Sequence, residues 1–252
     1  MDRRTFLRGL TLLSLCPICA RHGLASEGAH WSYEGETGPD HWASLDTNYA
    51  ACGKGSQQSP VNIEGSIQAK LPDLKVSWKK TSGAKIVNNG HTIQLNVPPG
   101  STLPAGDDKY EMTQFHFHAP SEHLIGGKNF AMEAHFVHQK ASNAGLGVLG
   151  VFLVEGEANP AFGQLADAFP KDAGNEAVAP EIDPSDLLPR SMAYWKYEGS
   201  LTTPPCSEIV DWIVCQQPVL AARTEIAKFT ALYAMNARPA QQIDRRLILQ
   251  SM

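Results

Sequence analysis

Gln114-Phe115-His116-Phe117-His118 sets two imidazoles two positions apart, and Glu133-Ala134-His135 offers a third with a carboxylate at the same offset. Side chains alternate between the faces of a β-strand, so His116 and His118 share a face with Gln114, while Phe115 and Phe117 share the other. Glu133 and His135 likewise share a face of a second strand. The intervening segment, 119–128, carries Pro120, Ser121, Gly126 and Gly127 and can return the chain as an antiparallel neighbour. The three imidazoles then converge on one point. Three histidines that leave a fourth position open are the donor set of a catalytic zinc site. A lone buried histidine is an ordinary core residue. Two desolvated on one strand face repel when charged and need partners when neutral, and a metal meets that need.

The spacing does not by itself choose the chemistry. His116-x-His118-x-x-x-Glu122 is also similar to the first metal motif of the cupins, where the glutamate is a ligand and the metal is often iron or manganese.

The elements that must position these groups read as β. Leu74–Trp78 and Thr92–Val97 alternate, Asn88-Asn89-Gly90 turns between strands, and Leu146–Val154 is continuously apolar, as for a strand covered on both faces. Met192–Leu201 and Glu208–Cys215 are two further strands, joined by Thr202-Thr203-Pro204-Pro205. Helices are expected only at Phe162–Phe169 and Thr224–Asn236, the second capped by Thr224. The aromatic lead from His30 to Trp42 has no period and is expected to wrap the core as loop; 170–190 is expected to be a long surface loop. With 252 residues and no repeat or linker, the expectation is a mainly β single domain. It is built on a large, mostly antiparallel central sheet with a few peripheral helices.

The N-terminus reads differently. Asp2-Arg3-Arg4-Thr5-Phe6-Leu7-Arg8 resembles the twin-arginine export signature, followed by an apolar run from Leu10 to Ala20 and a cleavage region at Gly23-Leu24-Ala25. The run is too short to span a membrane, so no stable membrane anchor is expected. Residues 1–25 are therefore assigned as signal and 26–252 as the mature domain, periplasmic or secreted. The formal net charge is −5, and removal of Arg3, Arg4, Arg8 and Arg21 with Asp2 makes the remainder more acidic. That excludes nucleic acid as a partner. Cys52 and Cys206 lie in Gly-, Ser- and Pro-rich surroundings, whereas Cys215 ends an apolar run. In an oxidising compartment the first two pair and Cys215 stays buried and reduced.

Taken together, the sequence resembles the α-class carbonic anhydrases, particularly the compact secreted bacterial members, from Trp31 to about Arg245. The resemblance is carried by Gln57-Gln58-Ser59-Pro60-Val61-Asn62-Ile63, Asn89-Gly90-His91, Gln114–His118 and Pro120-Ser121-Glu122-His123. It continues through Glu133–His138, Gly199–Cys206 and Asn236-Ala237-Arg238-Pro239-Ala240-Gln241. So many matches in order argue against a cupin. A silent, carbonic-anhydrase-related binding protein is disfavoured because all three ligand histidines are present.

The resemblance implies Zn2+ on His116, His118 and His135, with Gln114 and Glu133 holding the other ring nitrogens of His116 and His135. It implies that Thr202 accepts from zinc-bound hydroxide and donates to Glu122, with Thr203 on the polar side. Val137, Val148, Leu201 and Trp212 would form the apolar wall for carbon dioxide. His91 would be the proton shuttle, a wet histidine at the rim titrating near 6.5, and Tyr33 and Asn89 would order solvent. Cys52–Cys206 matches the disulfide of secreted members. The implied reaction is reversible hydration of carbon dioxide to bicarbonate and a proton by zinc-hydroxide attack, the water pKa of about 7 being one known from carbonic anhydrases themselves. His41 and His138 are read as structural, and His22 and His30 carry no assignment. Thr92 and Gln94 depart from the residues common in the family and leave cavity shape and inhibitor preference open. A homodimer is a candidate assembly.

Overall fold

The computed structural model describes residues 29–105, 108–141 and 145–252. The export signal at 1–25, with His22, lies outside the described residues. In chain order the strands are β1 (Asn62–Ile63), β2 (Ile67–Ala69), β3 (Lys85–Asn88), β4 (Ile93–Asn96), β5 (Thr102–Ala105), β6 (Asp108–His118) and β7 (Leu124–Ile125). They continue with β8 (Met132–Lys140), β9 (Leu146–Glu155), β10 (Glu176–Val178), β11 (Tyr194–Gly199), β12 (Val210–Cys215), β13 (Val219–Ala221) and β14 (Leu249–Ser251). The helices are short: α1 (Trp42–Leu45), α2 (Ala51–Lys54), α3 (Pro160–Asp167) and α4 (Arg223–Thr230).

The fold is mainly β. Among the described residues twelve strands form one sheet in the order β10-β3-β4-β6-β8-β9-β12-β11-β14-β2, with β13 beside β9 and β5 beside β6. It is antiparallel from β10 through β9 and again at β12–β11–β14. It is parallel at β9–β12, β9–β13 and β14–β2, so the sheet is mixed. β9 runs through the middle, and Gly147–Leu153 are all buried, which explains its unbroken apolar run.

One face of the sheet carries the main core. Phe115, Phe117, Phe136, Leu149 and Val151 meet Phe162 and Leu165 of α3 and Ile226 and Phe229 of α4 there. The opposite face packs Val148, Phe152, Tyr197, Val210, Trp212 and Val214 against Val61 and Ile63 and holds the cleft. A bulge between Met112 and Gln114 decides which β6 residues face which side. Before it Tyr110 and Met112 are buried in the main core; beyond it Phe115 and Phe117 take that face. The extra residue, Thr113, inverts the alternation and turns Gln114, His116 and His118 toward the cleft.

Several expectations are corrected in detail. Leu74–Trp78 is not a strand: Ser77 alone makes a bridge, to Thr102, while the Trp78 ring turns onto Phe136. The second expected helix runs over Arg223–Thr230 with Ala222, not Thr224, at its N-cap. Glu225 reaches back to accept from the Ala222 N–H at 2.8 Å, the carboxylate half of a capping box. The helix stops short of Asn236 because that residue's backbone N–H donates to Ala119 O instead. The first expected helix forms as α3, with Pro160 in its first turn and the Asn159 side chain accepting from Phe162 N. The 170–190 loop contains the edge strand β10 and a 3-10 turn at Pro184–Leu187. The aromatic lead coils into short helical turns, because Trp31, Tyr33 and Trp42 pack edge to face.

Candidate functional site

β6 and β8 pair so that His116 stands opposite His135 and His118 opposite Glu133. Each imidazole has one nitrogen already engaged. His116 Nδ1 lies 2.8 Å from Gln114 Oε1, and His118 Nδ1 donates to Asn236 O at 2.7 Å. His135 Nε2 lies 2.9 Å from Glu133 Oε1. That leaves His116 Nε2, His118 Nε2 and His135 Nδ1 for one shared centre, and the three residues' ligand atoms lie within 4.8 Å of one another. His118 Nε2 is buried without a hydrogen-bond partner. Such a buried, unpaired nitrogen is costly unless an ion takes its lone pair, so the donor set fits zinc.

The electrostatics favour neutral His116 and His118. Burial, then the neighbouring His118 and His135, holds His116 well below the usual histidine range. Burial also lowers His118, against the pull of Glu122. His135 is pushed down by burial, but Glu133 and Glu122 outweigh it and leave its pKa raised. Burial works against the Glu133 carboxylate as well; His123 and His135 overcome it and hold its pKa well below the ordinary value.

Glu133 is the hub behind the site. Its Oε1 takes His123 Nδ1 at 2.7 Å, and its Oε2 accepts from the backbone N–H groups of Glu122 and His123, each at 2.9 Å. His123 Nε2 continues to the Tyr197 hydroxyl at 2.7 Å, which reaches Ser59 Oγ at 3.0 Å. His123, Glu133 and His135 also cluster closely enough to suggest a metal, but both nitrogens of His123 are taken by Glu133 and Tyr197, and His135 Nε2 lies 2.9 Å from Glu133 Oε1. Gly150 stands opposite His135 in β9, and a Cβ there would come within 2.8 Å of Glu133 Oε1. The absent side chain makes room for the carboxylate.

The three histidines lie in a cleft of about 240 Å³. Val137, Leu146, Val148, Leu201, Val210 and Trp212 form one wall; Asn89, Thr92, Gln94, Thr202 and Thr203 line the rest, with Trp31, Tyr33 and His91. The expected residues Val137, Val148, Leu201, Thr202, Thr203 and Trp212 are thus brought together. Leu146 and Val210 join them unanticipated.

Two expectations about the polar groups differ from what is found. Glu122 accepts from Arg238 N at 2.8 Å through Oε1, but its Oε2 is buried without a hydrogen-bond partner, so the bond to Thr202 is not made. Oε2 lies instead 3.6 Å from His118 Nε2 and 3.8 Å from His135 Nδ1. His91 is not a freely solvated rim residue: its ring stacks on Trp31, and burial, then His30, lowers its pKa below 6.5. His138 is fully buried on the core face, where burial lowers its pKa to about 4.

Cys52 and Cys206 form a disulfide across 154 residues, and Cys215 is free and buried, its thiol pushed up to about 12 by burial. Asn236 and Arg238 carry site contacts that the sequence reading did not assign. Asn236 O receives His118, the Asn236 side chain holds His91 O and Phe117 O, and Arg238 N holds Glu122. Their one sequence signal is the motif Asn236–Gln241, to which no role was attached.

Comparison with known proteins agrees with this site. The sequence model of the eukaryotic-type carbonic anhydrases matches residues 37–252. A carbonic anhydrase of Pectobacterium carotovorum is 40% identical over 243 residues, covering 94% of this chain and 96% of that protein. One of Neisseria gonorrhoeae is 39% identical over 251 residues, covering 98% of each. The structure of the α-carbonic anhydrase of Thermovibrio ammonificans with sulfanilamide superposes with a TM-score of 0.85 at 40% identity, covering 88% of this chain and 99% of that one. The chain belongs to the carbonic anhydrase family of the eukaryotic, or α, type and is an enzyme of that family.

Proposed function

We propose that this enzyme hydrates carbon dioxide reversibly to bicarbonate and a proton, with zinc held by His116 Nε2, His118 Nε2 and His135 Nδ1. The observation that carries the reading is the commitment of the opposite ring nitrogens to Gln114, Asn236 and Glu133, which aims three imidazole nitrogens at one point. Zinc, when bound, supplies the Lewis acidity that makes a nucleophile available at neutral pH.

The chain's own groups do the rest. Carbon dioxide is apolar and rests against Val137, Val148, Leu201 and Trp212, where water is displaced at little cost. Glu122 Oε2, buried and unpartnered, accepts the Thr202 hydroxyl hydrogen when the site is loaded. Thr202 can then only accept from the reacting oxygen, which orients that oxygen's lone pair toward carbon and disfavours anions without a proton to give. Thr203 adds a second polar contact on the same side. His91 takes the proton at the cleft mouth and releases it to buffer, and Tyr33 and Asn89 order the intervening solvent.

The disulfide and the bacterial relatives support an exported protein. We extend this to a periplasmic or secreted enzyme whose catalytic domain, 26–252, follows a twin-arginine signal. Among the described residues no helix is long and apolar enough to cross a membrane. Stopped-flow carbon dioxide hydration, with and without sulfanilamide, together with metal analysis of the purified protein, tests the reading. Sulfanilamide-sensitive turnover with stoichiometric zinc is expected; a zinc-loaded protein without turnover would overturn it.

A further inference from the structure

Arg238 is 2% exposed, yet no carboxylate accepts from its guanidinium among the described residues. Nη1 donates to Gln58 Oε1 at 2.9 Å and to Ser59 O at 2.8 Å; Nη2 donates to Cys52 O at 3.0 Å. The cation also lies over Trp42, 5.5 Å from the ring centre. Burial lowers its pKa to about 10 against the opposing pull of Glu122, so it stays charged at neutral pH. A buried cation held only by neutral acceptors is a costly arrangement, and cheaper apolar packing would serve a purely structural need.

We propose that Arg238 is a positioning residue of the reaction, acting through Glu122; the inference rests on the function proposed above. Its backbone N–H donates to Glu122 Oε1 at 2.8 Å. With Oε1 so engaged, Oε2 is the oxygen turned toward His118 Nε2 and His135 Nδ1. The Arg238 backbone is in turn fixed by its side chain. Gln58, which accepts from the guanidinium, donates to Cys206 O at 3.1 Å, so the same anchor reaches the end of the Thr202–Cys206 turn. The disulfide ties the remaining acceptor, Cys52, to that turn. One buried side chain therefore sets both partners of the orienting contact, the Glu122 carboxylate and the turn that carries Thr202.

The test compares wild-type holoenzyme with Arg238→Lys and Gln58→Met. Zinc content is measured first, then carbon dioxide hydration, then binding of thiocyanate, which has no proton to donate, and of sulfanilamide, which has one, by calorimetry. In Arg238→Lys zinc stays stoichiometric, kcat/KM falls roughly tenfold, and thiocyanate gains roughly tenfold in affinity relative to sulfanilamide, in keeping with the size of outer-layer effects at metal sites. Gln58→Met moves the same ratio in the same direction by less. A wild-type ratio in both folded variants, or an equal loss of both ligands along with zinc, would reduce Arg238 to packing. Should Arg238→Lys not fold, Gln58→Met alone is read by these outcomes. Absence of hydration by the wild-type holoenzyme would overturn the proposed function, while the ligand ratio would still decide the role of Arg238.

Discussion

The His91 imidazole lies flat on the Trp31 indole, ring centroids 3.7 Å apart and planes 6° from parallel. The stack fixes the imidazole at the cleft mouth and removes water from one of its faces, consistent with a pKa lowered by burial. His91→Ala should therefore lower kcat in weak buffer and leave kcat/KM nearly unchanged, because proton release follows the chemical step. Added imidazole should restore much of the loss. Trp31→Ala re-exposes the ring, so the pH midpoint of kcat in weak buffer should rise toward 6.5. Unchanged kcat in both variants would take His91 off the proton path.

Metal dependence should appear in stability as well as in activity. A ligand that binds only the folded state stabilises it by mass action, so dialysis against a chelator should lower the melting temperature and zinc should restore it. His118→Ala should lose zinc and, with it, this chelator sensitivity. Retention of stoichiometric zinc and turnover in that variant would remove His118 from the ligand set.

Gly150→Ala tests the space beside Glu133. The added methyl would meet Oε1 at 2.8 Å, closer than van der Waals contact, and Glu133 could yield only by loosening its contacts with His123 and His135. Zinc affinity, read by chelator competition, should fall by about 10- to 100-fold. Overpacking of this kind also costs roughly 1–3 kcal/mol of stability, measurable by denaturant titration. An alanine variant with native zinc affinity would show that the carboxylate has room to spare.

His138 supplies a pH signature unrelated to the metal. Burial lowers its pKa from 6.5 to about 4, so the unfolded chain binds the proton that the folded chain refuses. Stability from this group is complete above pH 6.5 and is lost as pH falls from 6.5 toward 4, by about 3 kcal/mol if the full shift is realised. In His138→Phe the stability-against-pH curve should flatten across that interval. An unaltered slope would mean that the acid limb belongs to other groups.

The parts legible in the sequence are those in which a local period carries the information. Phe115 and Phe117 against His116 and His118 disclose both faces of β6, and the unbroken run of β9 discloses a strand covered on both sides. The Cys52–Cys206 pair was legible from its surroundings and its resemblance to secreted relatives. Contacts across long sequence separations were not. Nothing near His118 announces that Asn236 O, 118 residues away, will hold its Nδ1. Nor does Glu122 reveal that its partner is a backbone N–H, a group every residue but proline carries. The alternation in Leu74–Trp78 misled because it reflects a segment laid over the core, bridging at Ser77 alone.

The bulge in β6 makes that strand two reading frames joined at one residue. Upstream of Thr113 the even-numbered Tyr110 and Met112 belong to the interior; downstream, the odd-numbered Phe115 and Phe117 do. A charge scan along β6 should therefore show damage that alternates with position and skips a beat at 113. Deleting Thr113 would remove the surplus residue and leave an ordinary alternation, with Met112, Phe115 and Phe117 still inside and Gln114, His116 and His118 still in the cleft. Flattening the bulge with Thr113 still in place, and Tyr110 and Met112 kept indoors, would instead drive His116 and His118 into the phenylalanine layer and put Phe115 and Phe117 where a metal should sit. The location of this enzyme's chemistry, on one side of its sheet and not the other, is thus a matter of counting: the one residue more on β6 than on the strand beside it has to bulge out at Thr113.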